Sequence, residues 1–123
     1  MSKTILLVDD EPHVLEVLRV TLEDLGFRTL EAADGPGALN VARQEKPDLV
    51  VLDVMLPSMS GLEVCRTLKE SDSDTPVILL TARSGEDDEK AGMDAGADRY
   101  LTKPFSPLTL LTEVVKLLQL ELP

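Results

Sequence analysis

Hydrophobic positions along the chain form short continuous runs separated by longer segments with helical spacing. TILLV (4–8), DLVVLD (48–53) and PVILLT (76–81) are apolar at nearly every position. Such runs are typical of strands that are covered on both faces, as in a parallel sheet. RTLEA (28–32) and RYLT (99–102) are shorter and weaker, so they fit edge positions. The pattern predicts five strands.

The segments between these runs predict helices. In residues 13–25, apolar side chains recur on one stripe between Pro12 and Gly26, at Leu15, Leu18, Leu22 and Leu25. Four further helices are predicted over 36–45, 61–70, 86–95 and 107–120. The segment 86–95 is mostly charged, so its helix should be the least firmly held and is a candidate moving part.

The predicted last helix, 107–120, carries two apolar stripes. The first contains Leu108, Leu111, Val115 and Leu118, and the second contains Leu110, Val114 and Leu117. One stripe can face a sheet, and the other then needs a separate cover. A neighbouring subunit, a following domain or simply a wide core face would each provide it, and the pattern leaves these alternatives open.

Strands that alternate with helices predict an α/β fold with a parallel sheet, wound on both sides by right-handed crossovers. A length of 123 residues fits one domain with its own core. In such sheets ligands bind beyond the carboxyl ends of the strands. The residues that end the strands are therefore the candidates for function.

The charge of the chain limits its partners. Lys and Arg number 12 against 23 Asp and Glu, a formal charge of −11, which repels a nucleic-acid backbone. No apolar stretch approaches the roughly 20 residues that span a bilayer, and the start MSKTILLV lacks a signal-peptide pattern. We therefore expect a cytoplasmic chain that binds neither membrane nor nucleic acid by itself. Its one cysteine, Cys65, cannot form an internal disulfide.

Polar residues follow the predicted strands at their carboxyl ends. Asp9 and Asp10 follow the first strand, Asp53 ends the third, Thr81 ends the fourth, and Lys103 follows the fifth. Three converging carboxylates would raise each other's pKa unless a cation neutralised them, and oxygen ligands favour magnesium. A carboxylate nucleophile, a metal, an ammonium and a hydroxyl are the parts of a phosphoryl-transfer site. Asp53 is the predicted nucleophile.

Each of these residues also has a purely structural interpretation. Asp9, Asp10 and Glu11 before Pro12 suit a helix N-terminus, and Asp53 can cap a turn. Thr81 can cap the helix that follows. We favour a site because all of them meet at the same predicted sheet edge, which separate structural roles would not explain.

Four segments carry a family resemblance: ILLVDDEP, PDLVVLDVMLPSMSGLEVCR, PVILLTAR and GADRYLTKPF. In this order and spacing they resemble the receiver domain of two-component response regulators over the whole chain. The resemblance implies a flavodoxin-like (CheY-like) doubly wound sheet of five parallel strands in the order 2-1-3-4-5, with five helices. It also implies that residues 1–123 form a single bacterial receiver domain.

The resemblance implies a role for each site residue. Asp53 resembles the phosphoacceptor that takes a phosphoryl group from a sensor histidine kinase or a phosphotransfer protein. Asp9 and Asp10 resemble the acidic pair that holds Mg²⁺ (or Mn²⁺), together with Asp53 and the backbone carbonyl of Met55. Lys103 resembles the lysine that pairs with the phosphoacceptor and then with the phosphoryl oxygens.

Switching is implied in the same way. Thr81 resembles the hydroxyl that moves to the phosphoryl group, and Tyr100 the aromatic residue that turns inward when the threonine shifts. Phosphorylation would bias a face made of the fourth helix, the fifth strand and the fifth helix, which controls an output domain or a partner and can form a homodimer. Met55 and Arg83 resemble site-mouth residues that set the rate of hydrolysis, in a combination common among DNA-binding regulators.

Arg99 and Glu113 depart from the pattern of that DNA-binding group. The residue before the switch tyrosine is usually acidic there and pairs across a dimer with a basic residue of the last helix, whereas here the charges are exchanged. A contact across a dimer with reversed polarity is one expectation, and two solvated surface charges are the other.

Other functions agree less well with the sequence. A haloacid-dehalogenase-type phosphatase places an acid two residues after its nucleophile, where this chain has Met55. A nucleotide-binding flavodoxin-like protein has a glycine-rich first loop, and the loop here is acidic. A receiver that is never phosphorylated would not need the complete set of site residues. We therefore expect a domain that catalyses its own phosphorylation and dephosphorylation rather than an enzyme.

Overall fold

The computed structural model describes residues 3–82 and 86–120. Strands and helices alternate through the chain, as the pattern predicts: β1 (Thr4–Val8), α1 (Pro12–Glu23), β2 (Arg28–Ala32), α2 (Gly35–Glu45), β3 (Leu49–Asp53), α3 (Gly61–Ser71), β4 (Val77–Thr81), α4 (Glu86–Asp94), β5 (Arg99–Thr102) and α5 (Pro107–Leu117). Within the described ranges, no helix has the length and apolar character needed to cross a bilayer.

The five strands form one parallel sheet in the order β2-β1-β3-β4-β5. Every residue of β3 and β4 is buried, whereas β2 and β5, at the edges, are partly exposed. The continuous apolar runs are therefore interior strands and the weaker ones are edge strands. Fold class and strand order are confirmed.

Helices cover both faces of the sheet because alternate strand residues point to opposite sides. Leu6 and Val8 of β1 belong to a core cluster with Val64 and Leu68 of α3. The intervening residues of the strands belong to a second cluster with Leu18 and Leu22 of α1 and with Leu110 and Val114 of α5. This is the doubly wound arrangement that the sequence predicts.

Two helices end two or three residues earlier than predicted, and α4 ends one residue earlier, at Asp94. Helix α1 ends at Glu23, and Leu25 is exposed before a turn at Gly26 with φ of 90°. Helix α5 ends at Leu117 instead of residue 120, because Gln119 adopts a φ of 56°. Leu118 still packs on the core from beyond the helix end. The apolar pattern therefore indicates which residues are buried, not where the helix stops.

The second stripe of α5 supplies Leu110 and Val114 to the core, and the first stripe, Leu108, Leu111, Val115 and Leu118, is also mostly covered within the chain. Val115 is buried, and Leu111 and Leu118 pack partly against the core. Leu108 is the exception, with 73% of its surface exposed. The wide core face therefore accounts for most of this stripe.

Candidate functional site

The carboxyl ends of β1 and β3 bring the predicted carboxylates together. The two strands are neighbours, with Val8 paired to Leu52, so the residues that follow lie side by side. Asp9 and Asp53 are almost fully buried, while Asp10 is exposed. Carboxylate oxygens of these three residues lie within 4.8 Å of one another. The predicted convergence is present.

Lys103 provides the positive charge at this edge. It follows β5, its backbone N–H donates to the Thr81 carbonyl at 2.6 Å, and its peptide bond to Pro104 is cis. Its Nζ donates to Asp9 Oδ2 at 2.8 Å and lies 3.4 Å from Asp53 Oδ2. The family resemblance implies a partnership with Asp53, and here Asp9 is the nearer acceptor.

Glu11 is a further acid that the sequence analysis did not assign to the site. Its Oε1 lies 3.8 Å from Lys103 Nζ. Its position directly after Asp10 is the only signal in the sequence. With Asp9, Asp53 and Glu11 around one ammonium group, negative charge exceeds positive charge at this edge.

The environment shifts the pKa values of the two central groups. Burial raises the pKa of Asp53, and the neighbouring charge of Asp9 raises it further, while Lys103 and the Met55 N–H act in the opposite direction with smaller effect. Burial lowers the pKa of Lys103, but its hydrogen bond to Asp9 and the charges of Asp53 and Asp9 outweigh this, so the net shift is upward. Lys103 therefore stays protonated at neutral pH.

The donor set fits a hard divalent cation. Asp9, Asp10 and Asp53 offer only oxygen, the ligand type that Mg²⁺ and Mn²⁺ prefer. His13, the only histidine of the chain, is 75% exposed and lies beside Glu11. His13 is therefore a solvated residue in the first turn of α1. A cluster of carboxylates with one lysine lacks positive charge, which such an ion would supply.

The structural interpretations of the same residues hold only in part. Asp9 Oδ1 accepts a bond from the Glu11 N–H at 2.9 Å, but no side chain caps the N-terminus of α1. Asp53 Oδ1 accepts from the Met55 N–H at 3.3 Å, so this carboxylate does hold the turn after β3. That bond leaves Oδ2 of Asp53 facing Lys103.

Gly61 packs directly against the backbone of the loop after β3. A Cβ atom there would collide with the Asp53 carbonyl oxygen and lie 2.7 Å from Val54 Cα. The Gly61 N–H donates to the Val54 carbonyl at 2.8 Å. A side chain at residue 61 is therefore excluded by the backbone of Asp53 and Val54. Ser58, with φ of 70°, also shapes the loop and was not predicted.

Thr81 and Tyr100 lie beside the acidic cluster. Thr81, at the end of β4, is 1% exposed, and Tyr100 on β5 is half-buried opposite Leu79. Both line a cavity of about 760 Å³ between the loop after β3 and α4. Met55, 57% exposed, is on the same wall. Arg83, the other predicted site-mouth residue, lies outside the described residues.

Arg99 and Glu113 contact each other within one chain. Arg99 Nε donates to Glu113 Oε2 at 2.6 Å, which joins β5 to α5. A second donor of Arg99, Nη1, bonds the Asp98 carbonyl at 2.7 Å. The sequence predicts either a pair across a dimer or two solvated charges, whereas the structure shows a pair within one chain. A contact across a dimer stays a prediction.

Comparison with known proteins places this geometry in a family. Residues 5–115 match the model of the response regulator receiver domain. The chain belongs to the response regulator receiver domain family. Receiver domains are the phosphoryl-accepting modules of two-component systems, and the resemblance noted in the sequence is confirmed.

Solved receiver structures have the same fold. The beryllofluoride-activated DrrB receiver domain is similar with a TM-score of 0.90 and 42% identity, covering 97% of this chain and 99% of that one. The response regulator DrrB, a Thermotoga maritima OmpR/PhoB homologue, has a TM-score of 0.90 and 43% identity, covering 97% of this chain and 54% of that one. A CheY-like receiver domain protein from Methanospirillum hungatei has a TM-score of 0.92 and 28% identity, covering 97% of this chain and 95% of that one.

Similar proteins of known name are bacterial regulators. PhoP of Bacillus subtilis, an alkaline phosphatase synthesis transcriptional regulatory protein, is 45% identical over 119 residues, which is 97% of this chain and 50% of PhoP. MtrA of Mycolicibacterium smegmatis, a DNA-binding response regulator, is 45% identical over 114 residues, covering 93% of this chain and 50% of MtrA. The chain spans about half the length of these relatives.

Proposed function

We propose that this receiver domain, residues 1–123, accepts a phosphoryl group on Asp53 from a histidine of a sensor kinase or phosphotransfer protein. The observation that supports this most directly is the buried Asp53 carboxylate, with Asp9 and Asp10 on one side and the Lys103 ammonium on the other. Such an excess of negative charge suits a site that receives both a cation and a phosphoryl group.

The residues of this chain can perform the transfer as follows. A carboxylate oxygen of Asp53 attacks the phosphorus, the new O–P bond forms, and the P–N bond to the donor imidazole breaks. The Met55 N–H holds Asp53 Oδ1 in place at 3.3 Å. Lys103 lies 3.4 Å from Oδ2, where its charge can stabilise negative charge on the phosphoryl oxygens. Water later attacks the same phosphorus, the O–P bond to Asp53 breaks, and inorganic phosphate leaves while Asp53 returns to a carboxylate.

Asp9, Asp10, Asp53 and the backbone carbonyl of Met55 would hold Mg²⁺ or Mn²⁺. When bound, the ion supplies charge neutralisation and alignment of the phosphoryl oxygens. The exposure of Asp10 suits a ligand that acts directly or through water. Met55 and Arg83 are proposed to control the approach of water at the site mouth.

Phosphorylation would then switch the surface of the domain. It adds about two negative charges and new acceptor oxygens, toward which Thr81 and Lys103 move. Tyr100 follows, and the face formed by α4, β5 and α5 changes its packing. This face is proposed to control an output domain or a partner and to form a homodimer. A cytoplasmic location, and the lack of nucleic-acid binding by this domain itself, stay predictions.

A phosphatase of the haloacid dehalogenase type is the alternative. Its chemistry needs a second acid at the position of Met55, and a thioether that is 57% exposed cannot act as a general acid or base. The observation favours a phosphoryl acceptor over a phosphoester hydrolase.

The test is phosphorylation with a small-molecule donor such as acetyl phosphate, with and without Mg²⁺, followed by intact mass. We expect one added phosphoryl group that requires Mg²⁺ and is lost in Asp53→Asn. Asp24→Asn is the matched control, because Asp24 is an exposed acid on the C-terminal cap of α1. Full uptake by Asp53→Asn, or turnover of unrelated phosphoesters, would contradict the proposal.

A further inference from the structure

Helix α4 lies so close to the sheet at Gly92 that a side chain does not fit there. A Cβ atom at this position would lie 2.9 Å from Cδ2 and 3.2 Å from Cε2 of Tyr100. It would also lie 3.0 Å from Cδ1 of Leu79. These separations are shorter than the contact distance of two carbon atoms, which is about 3.5–4.0 Å. The Tyr100 ring therefore occupies the space that a methyl group at residue 92 would need.

The C-terminal end of α4 is held, so the helix cannot simply lift off the ring. Cys65 Sγ lies 3.6 Å from the Ala95 carbonyl oxygen, which it can bond. Lys69 Nζ donates to Asp98 Oδ2 at 2.9 Å, and the Asp98 N–H donates to the Val77 carbonyl at 2.9 Å. These bonds attach the chain just after α4 to α3 and β4. Gly92 is only three residues before Ala95.

Of the two side chains that Gly92 touches, the Tyr100 ring has more room to move. Leu79 is fully buried in the core, where packing leaves few voids. Tyr100 is half-buried and lines the cavity of about 760 Å³ beside Thr81. A methyl group at residue 92 would therefore be accommodated most easily by displacement of the ring.

We propose that Gly92 is a positioning residue for Tyr100: its missing side chain permits the present ring position, and a methyl group there displaces the ring. The proposal rests on the proposed role of Tyr100 as the switch residue. A group that clashes with only one of two ring positions shifts the equilibrium between them. Gly92 thereby leaves the present ring position accessible, whereas alanine at this position would disfavour it.

The chain offers a specific probe, because Tyr100 is its only tyrosine. Incorporation of 3-fluorotyrosine gives a ¹⁹F NMR spectrum that reports on this ring alone. Wild-type protein with and without phosphodonor and Mg²⁺ defines the signals of the two ring positions. In Gly92→Ala without phosphodonor, we expect the population ratio to shift about fivefold or more toward a displaced ring.

Asp94→Ala is the matched control. Asp94 is exposed on the same helix, and alanine there also raises helix propensity. We expect its ¹⁹F spectrum to equal that of the wild type. A folded Gly92→Ala variant with the wild-type spectrum would overturn the proposal.

The same NMR experiment tests the proposal for Gly92 separately from the proposed role of Tyr100 as the switch residue. If phosphorylation is confirmed by mass and the wild-type ring signal does not change, the proposed role of Tyr100 fails. Displacement of the ring by Gly92→Ala would still be measurable in that case.

A second measurement covers the case in which Gly92→Ala folds poorly. Urea unfolding of Gly92→Ala is compared in the wild-type and Tyr100→Ala backgrounds. We expect the loss of stability in the wild-type background to become smaller when the ring is absent, leaving only the part due to Leu79, since contacting residues are energetically coupled. An equal loss in both backgrounds would assign the clash elsewhere and refute the proposal.

Discussion

The two ends of the sheet use the same kind of residue in opposite ways. At the amino end, Lys69 Nζ donates to Asp98 and to the carbonyls of Ser73 and Thr75, at 2.9–3.1 Å. At the carboxyl end, Lys103 faces the carboxylates of Asp9, Asp53 and Glu11. One lysine is balanced by a single acid, and the other is outnumbered by acids.

The difference separates stability from function. Asp98 also accepts the N–H that begins β4 at 2.8 Å, and Asp48 accepts the one that begins β1 at the same distance. Acids at the amino end thus satisfy strand ends. At the carboxyl end the pKa of Asp53 is raised by burial and by Asp9, so its ionised form is disfavoured in the folded protein. The carboxyl end of the sheet, where the acids outnumber the lysine, is therefore the end at which we propose that phosphoryl transfer takes place.

The largest loss of stability is expected from a side chain added at Gly61, which packs against the backbone of Asp53. Gly61→Ala should lower the free energy of unfolding by about 3 kcal/mol, because the added methyl group meets backbone atoms that cannot rotate away. It should also slow phosphorylation, since Asp53 belongs to that backbone. Urea unfolding and intact mass measure the two effects.

Gly26→Ala is the comparison at the amino end. No atom lies within 4 Å of a Cβ there, and only its φ of 90° disfavours a side chain. We expect a loss of about 1 kcal/mol and unchanged phosphorylation. A Gly61→Ala variant that is as stable as Gly26→Ala would remove the argument from close approach.

The next effect concerns the balanced lysine. Lys69→Met should lower the free energy of unfolding by about 2 kcal/mol, because Asp98 and two carbonyls lose a charged donor. Phosphorylation by a small-molecule donor should still occur. Arg66→Met, an exposed cation of the same helix, is the control and should change stability little. If both variants lose the same amount, the amino-end network does not stabilise the fold.

At the carboxyl end of the sheet, removing a charge is expected to raise the free energy of unfolding, by less than the loss of Lys69 lowers it. Because folding raises the pKa of Asp53, the stability associated with this group is full below its unfolded pKa of 3.8 and is lost as pH rises through its folded pKa. At pH 7, Asp53→Asn should therefore raise the free energy of unfolding, by about 1 kcal/mol. Lys103 keeps its bond to Asp9 in this variant.

The pH dependence sharpens this prediction. The difference in free energy of unfolding between Asp53→Asn and the wild type should vanish at a pH well below 3.8, where Asp53 is protonated in both the folded and the unfolded protein, and should grow as pH rises. Mg²⁺ should narrow it at pH 7, since bound cation relieves the repulsion in the wild type. Asp53→Asn that is less stable than the wild type at pH 7 would mean that the acidic cluster is not under repulsion.

The smallest effect is expected at Cys65. Ionisation of this thiol does not alter the stability of the protein at pH 7, because the thiol stays protonated there. Burial raises the pKa of its thiol to about 11. The thiol should therefore resist a disulfide reagent at pH 8 in the folded protein and react in urea. Its contribution to stability is present below pH 9 and is lost as pH approaches 11. Cys65→Ala should lack this part of the pH profile, and rapid labelling of native protein would contradict the burial.

Much of the fold could be predicted because local pattern and burial coincide here. Continuous apolar runs identified the interior strands, and Pro12 and Gly26 marked the limits of the first helical segment. The end of α5 could not be predicted, since Leu118 is partly buried against the core although it lies outside the helix. Apolar spacing responds to burial, and burial continues past a helix end.

The residues that end the strands could be identified from the sequence, and because the strands are parallel, Asp9, Asp53, Thr81 and Lys103 were expected at one edge of the sheet. Two contacts could be known only from the packed structure: Lys103 lies closer to Asp9 than to Asp53, and Arg99 pairs with Glu113 inside the chain. The reason is physical. Periodicity specifies the side and end of an element within a few ångströms, whereas the choice between two acceptors depends on differences of less than one ångström between elements distant in the chain.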